Sequence, residues 1–126
     1  MVAVDTNVII DQLNSRLGDT SLLKAIGLVA LPAPVIGELL FGARNSGRVA
    51  QNLAKYRSFI FDLTVLPLDA PAAEHYAEIR LALKQKGRPI PENDMWIAAI
   101  CRAHEVPLLT FDKHFAEIPD LRLVTL

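Results

Sequence analysis

Four carboxylates stand at places in this chain where acids can do chemistry. Asp5 ends the short apolar run Val2-Ala3-Val4, and Asp112 follows the run Leu108-Leu109-Thr110. Asp94 falls in the first turn of a helix expected after Asn93, where free N–H groups and the positive end of the dipole favour an ionised carboxylate. Glu38 falls one turn into a helix expected after the apolar run Leu28–Leu31. In an open parallel sheet the ligand site lies beyond the carboxyl ends of the strands, so these four distant acids are expected at one rim. Like charges gathered there repel and push each other's pKa upward unless a cation sits among them. A hard divalent ion answers that need. Mg2+ takes oxygen ligands, and a pair of such ions can activate a water and stabilise the leaving oxygen of a phosphodiester. Softer chemistry lacks its residues. The three histidines have no zinc spacing, Cys101 is the single cysteine, and no nucleophile-elbow serine is present.

The elements that must position these acids emerge from short-range pattern. Val2-Ala3-Val4 reads as a buried strand, followed by a helix that Thr6 and Asn7 can cap and whose stripe is Val8, Ile9, Ile10 and Leu13. Leu28–Leu31 reads as a second strand, and Pro34 suits the first turn of the helix carrying Val35, Leu39, Leu40 and Ala43. After the Asn45-Ser46-Gly47 break comes a helix over about Arg48–Phe61, then a third strand at Val65–Leu68. Asp69 is the N-cap of a long helix whose buried face is Ala72, Tyr76, Ile79 and Leu83. Gly87 stops it, and Arg88-Pro89-Ile90-Pro91 is a loop. Asn93 is read as the cap of the next helix, with Ile97, Ala98 and Cys101 inward. Leu108-Leu109-Thr110 is the fourth strand and Leu121–Leu126 a short fifth. Short apolar strands alternating with helices need crossover connections. They predict one α/β domain over residues 1–126, with a mostly parallel sheet of four to five strands covered by helices on both faces.

Composition narrows the class. The chain has 126 residues, of which 52% are hydrophobic and 21% charged, too apolar for disorder and long enough for a core without disulfides. No basic leader opens it, and the uncharged stretch Ala25–Gly37 is broken by Pro32 and Pro34. That stretch falls short of the roughly 20 apolar residues of a membrane span, so a soluble, cytoplasmic protein is expected. The formal net charge of −1 hides a division. With the four rim acids set aside from the 14, 13 basic residues face 10 acidic ones. Arg44, Arg48, Lys55 and Arg57 form one acid-free cluster, and Arg80, Lys84, Lys86 and Arg88 another. Such clusters suit phosphate contacts or are simply solvated helix faces.

Taken together, four blocks identify a family. They are Val4-Asp5-Thr6-Asn7, Ile36-Gly37-Glu38-Leu39, the segment from Ile90 to Ala99, and Leu109-Thr110-Phe111-Asp112-Lys113-His114-Phe115. The chain resembles a PIN domain along nearly its whole length, and within that family it is most similar to the VapC-type toxins of toxin–antitoxin pairs. Phe111 is a mild departure, since a smaller or polar residue often precedes that aspartate. The resemblance implies a parallel sheet flanked by helices and an endoribonuclease dependent on Mg2+ or Mn2+. It implies that Asp5, Glu38, Asp94 and Asp112 are the catalytic and metal-binding quartet, with Thr6, Asn7 and Thr110 as supporting polar residues. It implies RNA as substrate, a 5′-phosphate and a 3′-hydroxyl as products, a homodimer, and a small VapB-like antitoxin that fills the groove. Arg44, Arg48, Arg80 and Lys84 are the candidate RNA contacts, with Arg80 the best single choice.

Two other functions compete with this one. A non-catalytic module gripping a basic segment or RNA with the same rim does not require four converging carboxylates. An aspartyl-phosphate enzyme or receiver domain needs paired acids that are missing here: Asn7 stands two positions after Asp5. Other residues have ordinary readings. His114 reads as an exposed turn residue, with contact to the scissile phosphate as its alternative. Cys101 reads as core, and Trp96 as packing on another element. Phe41, Phe59 and Phe61 read as either core or a partner surface.

Overall fold

Val2–Val4 forms β1, brief and apolar because it lies in the middle of the sheet; Ala3 and Val4 are wholly buried. In this computed structural model, residues 1–15 and 21–124 are described. The chain continues through α1 (Thr6–Leu13), α2 (Ser21–Ala25), β2 (Val29–Pro32), α3 (Ala33–Arg44) and α4 (Val49–Phe61). It then passes through β3 (Thr64–Leu66), α5 (Ala70–Lys86), α6 (Glu92–Ala103) and β4 (Leu108–Leu109) to a 3-10 turn at Lys113–Glu117. All strand pairs are parallel, in the order β3-β2-β1-β4. From β1 the chain steps outward to β2 and β3, then returns to place β4 on the other side of β1. The order therefore reverses between β1 and β4, the position where open sheets form ligand sites.

Several local expectations are revised by tertiary contacts. Asp5 itself caps α1, accepting the Thr6 N–H at 2.9 Å, so Thr6 and Asn7 lie inside the helix rather than at its cap. Ile10 is exposed, because Val8 and Ile9 already face the core. The second strand begins one residue later than expected, leaving Leu28 72% exposed, and the third ends at Leu66. Helix α6 starts at Glu92 after Pro91, whose fixed φ sets the helix entry, so Asn93 is not its cap. The expected fifth strand reduces to one parallel bridge, Leu123 to Leu108, while residues 125–126 lie outside the described residues.

Helix α6 buries more residues than any other described helix. Besides Ile97, Ala98 and Cys101 it buries Met95, Ala99 and Ile100, since it packs against α5 on one side and contacts α3 and β2 as well. Burial pushes the Cys101 thiol up to about 12, which makes it an inert core group. Helix α5 carries the expected Asp69 cap, with the Ala72 N–H donating to Oδ1 at 3.2 Å. It ends at Gly87, left-handed with φ +66°, whose N–H and that of Arg88 return to carbonyls of the last turn. Tyr76 of α5 is half-buried rather than core and stacks on Trp96 of α6, ring centroids 3.7 Å apart. Among the described residues no helix is long and apolar enough to cross a membrane.

Candidate active site

Asp5 is held rigidly at the reversal point. It is 3% exposed, its N–H donates to Leu109 O at 2.9 Å, and its Oδ1 is the α1 cap. The Thr110 hydroxyl, just past β4, donates to Asp5 Oδ2 at 2.6 Å and accepts the Asp112 N–H at 3.1 Å. Thr110 thus links the ends of two adjacent strands and sets where Asp112 stands. Asn7 braces the same loop, its Oδ1 accepting a long 3.5 Å bond from Phe111 N–H.

The other two acids arrive on helices. Asp94 occupies the first turn of α6, and its Oδ2 lies 2.7 Å from His114 Nε2. Glu38, on α3, accepts a 2.8 Å bond from Asn93 Nδ2, so the residue beside Asp94 ties α3 to α6. Asp94, Asp112 and His114 each offer one ligand atom, and these atoms lie within 4.8 Å of one another.

Electrostatics joins all four positions. Burial raises the Asp5 carboxyl above its ordinary pKa, opposed by the Thr110 and Thr6 hydrogen bonds and reinforced by the charges of Asp94 and Glu38. Asp94 is also raised, first by burial, with the bond and charge of His114 opposing and the charges of Glu38 and Asp112 reinforcing. Among the described residues no lysine or arginine pairs with any of the four. Such an array favours a bound proton or a cation, and oxygen donors select a hard one. The Thr6 hydroxyl beside Asp5 is buried without a hydrogen-bond partner among the described residues, a state that a bound ligand or ordered water normally relieves. The donor set therefore fits a divalent ion.

His114 and Asn93 are the two site residues whose placement local pattern misses. His114 is not a free turn residue; it reaches back to Asp94, with 34% of its side chain exposed. Its position two residues after Asp112 is the available signal. Asn93 resembles a cap in sequence because caps and inter-helix donors use the same residue types.

The basic residues divide. Arg80 donates to the Tyr76 hydroxyl at 2.9 Å, which in turn donates to Glu92 at 2.7 Å. Lys84 lines a cavity bounded also by Met95, the residue after Asp94. Arg44 and Arg48 are exposed at the end of α3 and just before α4, with no side-chain hydrogen bond or ion pair tying them to the acids among the described residues. A cavity of about 600 Å³ lined by Arg102, Glu105 and Arg122 lies at the opposite end of β4, away from this chemistry. Phe59 packs partly on the core, while Phe41 and Phe61 are 68% and 84% exposed.

Known proteins share this fold. The profile of the PIN domain matches residues 2–121. Ribonuclease VapC2 of Rickettsia felis is 32% identical over 125 residues, 95% of this chain and 93% of that protein. The tRNA(fMet)-specific endonuclease VapC of Shigella flexneri is 32% identical over 97 residues, covering 76% of this chain and 74% of that one. Among solved structures, VapBC2 from Rickettsia felis bound to a promoter DNA fragment superimposes with a TM-score of 0.89 at 28% identity, covering 98% of both chains. A four-stranded parallel sheet with acids at its reversal point, a PIN domain match over residues 2–121 and a VapC relative matched over 95% of this chain lead to one assignment: this chain belongs to the PIN domain family, among the VapC proteins.

Proposed function

We propose that this chain is an endoribonuclease that depends on Mg2+ or Mn2+ and acts as the toxin of a toxin–antitoxin pair in the cytoplasm. What supports the reading is the gathering of Asp94, Asp112 and His114 ligand atoms within 4.8 Å. Asp5 is tied through Thr110 to the Asp112 loop, Glu38 is tied through Asn93 to the start of α6, and no lysine or arginine is paired to the four acids among the described residues. These four would hold the ion, which when bound supplies an activated water and charge stabilisation for phosphodiester hydrolysis. The chain's own part is rigid placement. Capping and burial fix Asp5, the Thr110 hydroxyl aligns it with Asp112, and Asn93 holds Glu38 to the start of α6. A site whose ligands are locked by packing and hydrogen bonds loses less on binding than one assembled from mobile loops.

RNA is the substrate in this reading, with transfer RNA the first class to test, since one relative is named for it. A VapB-like antitoxin is the partner, supported by the solved complexes of similar chains. The exposed Phe41 and Phe61 supply apolar surface for that partner or for a second copy in a homodimer.

Metal removal tests the activity. Chain freed of its antitoxin and dialysed against EDTA should lose cleavage of total cellular RNA and regain it on addition of Mn2+ or Mg2+. Cleavage undiminished in excess EDTA would exclude the reading. His114 is a positioning residue for Asp94 here, and His114→Gln should weaken Mn2+ binding by about 10- to 100-fold, the usual effect of losing a partner that orients a ligand. Titration calorimetry reads that affinity directly. An unchanged melting temperature in EDTA separates the effect from loss of fold.

A further inference from the structure

The first turn of α6 carries Asp94, and by local rules it should fray. Glu92, Asn93 and Asp94 all lie outside the buried core, and the first core residue of the helix is Met95. Pro91 stands at the cap and offers no side-chain hydrogen bond. Its carbonyl accepts the N–H groups of Asp94 at 3.1 Å and Met95 at 3.2 Å. Three consecutive side chains nevertheless leave this turn in three directions. Asn93 donates to Glu38 of α3, Asp94 meets His114, and Glu92 accepts a hydrogen bond from the Tyr76 hydroxyl of α5. The first two contacts belong to the acid cluster, and the third stands outside it.

Tyr76 touches α6 at two points one turn apart. Its hydroxyl donates to Glu92 Oε1 at 2.7 Å, and its ring lies nearly parallel to that of Trp96, at 8° with centroids 3.7 Å apart. Residues four apart share a helix face, so Tyr76 fastens the first turn to the second along that face. Asp94 is two positions from each and projects from the other side of the helix. Arg80, one turn along α5, completes the hold. Its Nη1 donates to the Tyr76 hydroxyl at 2.9 Å, and its guanidinium carbon lies 5.9 Å from the ring centroid. The hydroxyl thus gives one hydrogen bond and accepts another, which fixes the direction of its proton toward Glu92. The Arg80–Glu92 ion pair is loose, 3.9 Å with 64% of each side chain exposed, and adds little of its own.

We propose that Tyr76 is a positioning residue of the acid site, holding the first turn of α6 so that Asp94 and the Asn93-bound Glu38 stay within reach of one ion, and that Arg80 acts through Tyr76 rather than on an RNA phosphate. The inference rests on the ribonuclease reading and adds a support on the side of α6 away from Asp94. It also reassigns the basic residue that sequence pattern favours for substrate contact, because the Arg80 guanidinium is already engaged within the chain. A hold at two points one turn apart limits rotation of the helix start as well as its translation. Displacing a ligand by about 1 Å is enough to weaken a site, so that restraint bears on ion binding.

Mn2+ titration calorimetry on the antitoxin-free chain tests this with Tyr76→Leu, Tyr76→Phe and Arg80→Ala. Tyr76→Leu loses both the stack and the hydroxyl and should weaken Mn2+ binding by about tenfold, the lower end of what an orienting partner contributes. Tyr76→Phe keeps the stack and should fall between Tyr76→Leu and the parent. Arg80→Ala should weaken Mn2+ binding no more than Tyr76→Phe does, and should bind a fluorescein-labelled single-stranded RNA in Ca2+ with the parental salt dependence. Hydrogen exchange reads the hold without any metal: in Tyr76→Leu the Asp94 and Met95 amides should speed up by a larger factor than the Ile100 amide of the same helix. Mn2+ affinity of Tyr76→Leu within about twofold of the parent, less than one hydrogen bond is worth, would overturn the proposal. So would equal acceleration at Ile100, which marks a loss of overall stability alone. A slope of log affinity against log salt lowered by about 0.7 in Arg80→Ala would make Arg80 a phosphate contact and overturn its part. If the parent binds Mn2+ and cleaves RNA while Tyr76→Leu matches it in both, the positioning inference alone fails. If the exchange effect is present but the parent neither binds Mn2+ nor cleaves, the ribonuclease reading fails and the hold on α6 stands.

Discussion

Asp5→Asn is expected to reduce RNA cleavage by more than about 100-fold, beyond the usual loss of an outer partner, and to give a more stable chain in EDTA at neutral pH. The two effects share one cause. Burial, helped by the charges of Asp94 and Glu38, holds the Asp5 carboxyl above its ordinary pKa in the folded chain. The folded state therefore keeps its proton where the unfolded state has lost it. Stability falls as pH rises from the ordinary carboxylate range through the raised folded pKa, and above that the full penalty is present. Asparagine has nearly the same shape, caps a helix as well as aspartate does, and carries no charge. In EDTA its melting temperature should exceed the parent's at neutral pH, with the difference closing as pH falls below about 4. Mn2+ should then raise the melting temperature of the parent, because it binds the folded chain, and leave that of Asp5→Asn nearly unmoved. Cleavage within tenfold of the parent would remove Asp5 from the machinery. A variant less stable than the parent at neutral pH would mean that the Thr6 and Thr110 hydrogen bonds outweigh the charge.

The same balance explains which parts of the site are legible in the sequence. Asp5 and Asp112 follow short apolar runs, and a central parallel strand must be short, apolar and followed by a turn at the ligand-binding edge. Asp94 and Glu38 belong to helices whose starts are marked by Pro91 and Pro34. Pattern alone does not reveal where a polar side chain finds a partner distant in sequence. Asn93 reads by local rules as a cap, yet its donor reaches Glu38, 55 positions earlier. His114 reads as exposed, yet it crosses 20 positions to Asp94. Periodicity tells which side of an element faces the core; it carries no information on which atom across the site completes a hydrogen bond. The missing fifth strand has a similar origin. Leu121, Leu123 and Val124 pack partly on the core, which satisfies their apolar character with a single bridge and no extended ladder.

Phe115→Ala is expected to cost about 3–5 kcal/mol, the range for removing a fully buried aromatic, against a total stability of about 5–15 kcal/mol for a domain. That corresponds to a fall of roughly 10–20 °C in melting temperature for a chain of this size. Phe115 is wholly buried, yet it lies in the short 3-10 turn Lys113–Glu117 that follows Asp112 and contains His114. A five-residue turn has little stability of its own, so the anchor that holds it down must be a side chain driven into the core. Phe115 is that anchor, with Ile118 buried just behind it. Asp112 is the N-cap of this segment and His114, which orients Asp94, lies within it, so two of the three clustered residues depend on its placement. The variant should therefore bind Mn2+ more weakly even at temperatures where it remains folded, a coupling that titration calorimetry at low temperature would reveal. Phe111, four residues earlier, is the control: it is 49% exposed, and Phe111→Ala should change stability by no more than about 0.5 kcal/mol. If Phe115→Ala melts close to the parent while Phe111→Ala does not, the segment is anchored from the other side. If both melt as expected but Mn2+ affinity is unchanged in folded Phe115→Ala, Asp112 and His114 are positioned by Thr110 and Asp94 alone, and the core has no part in shaping the rim.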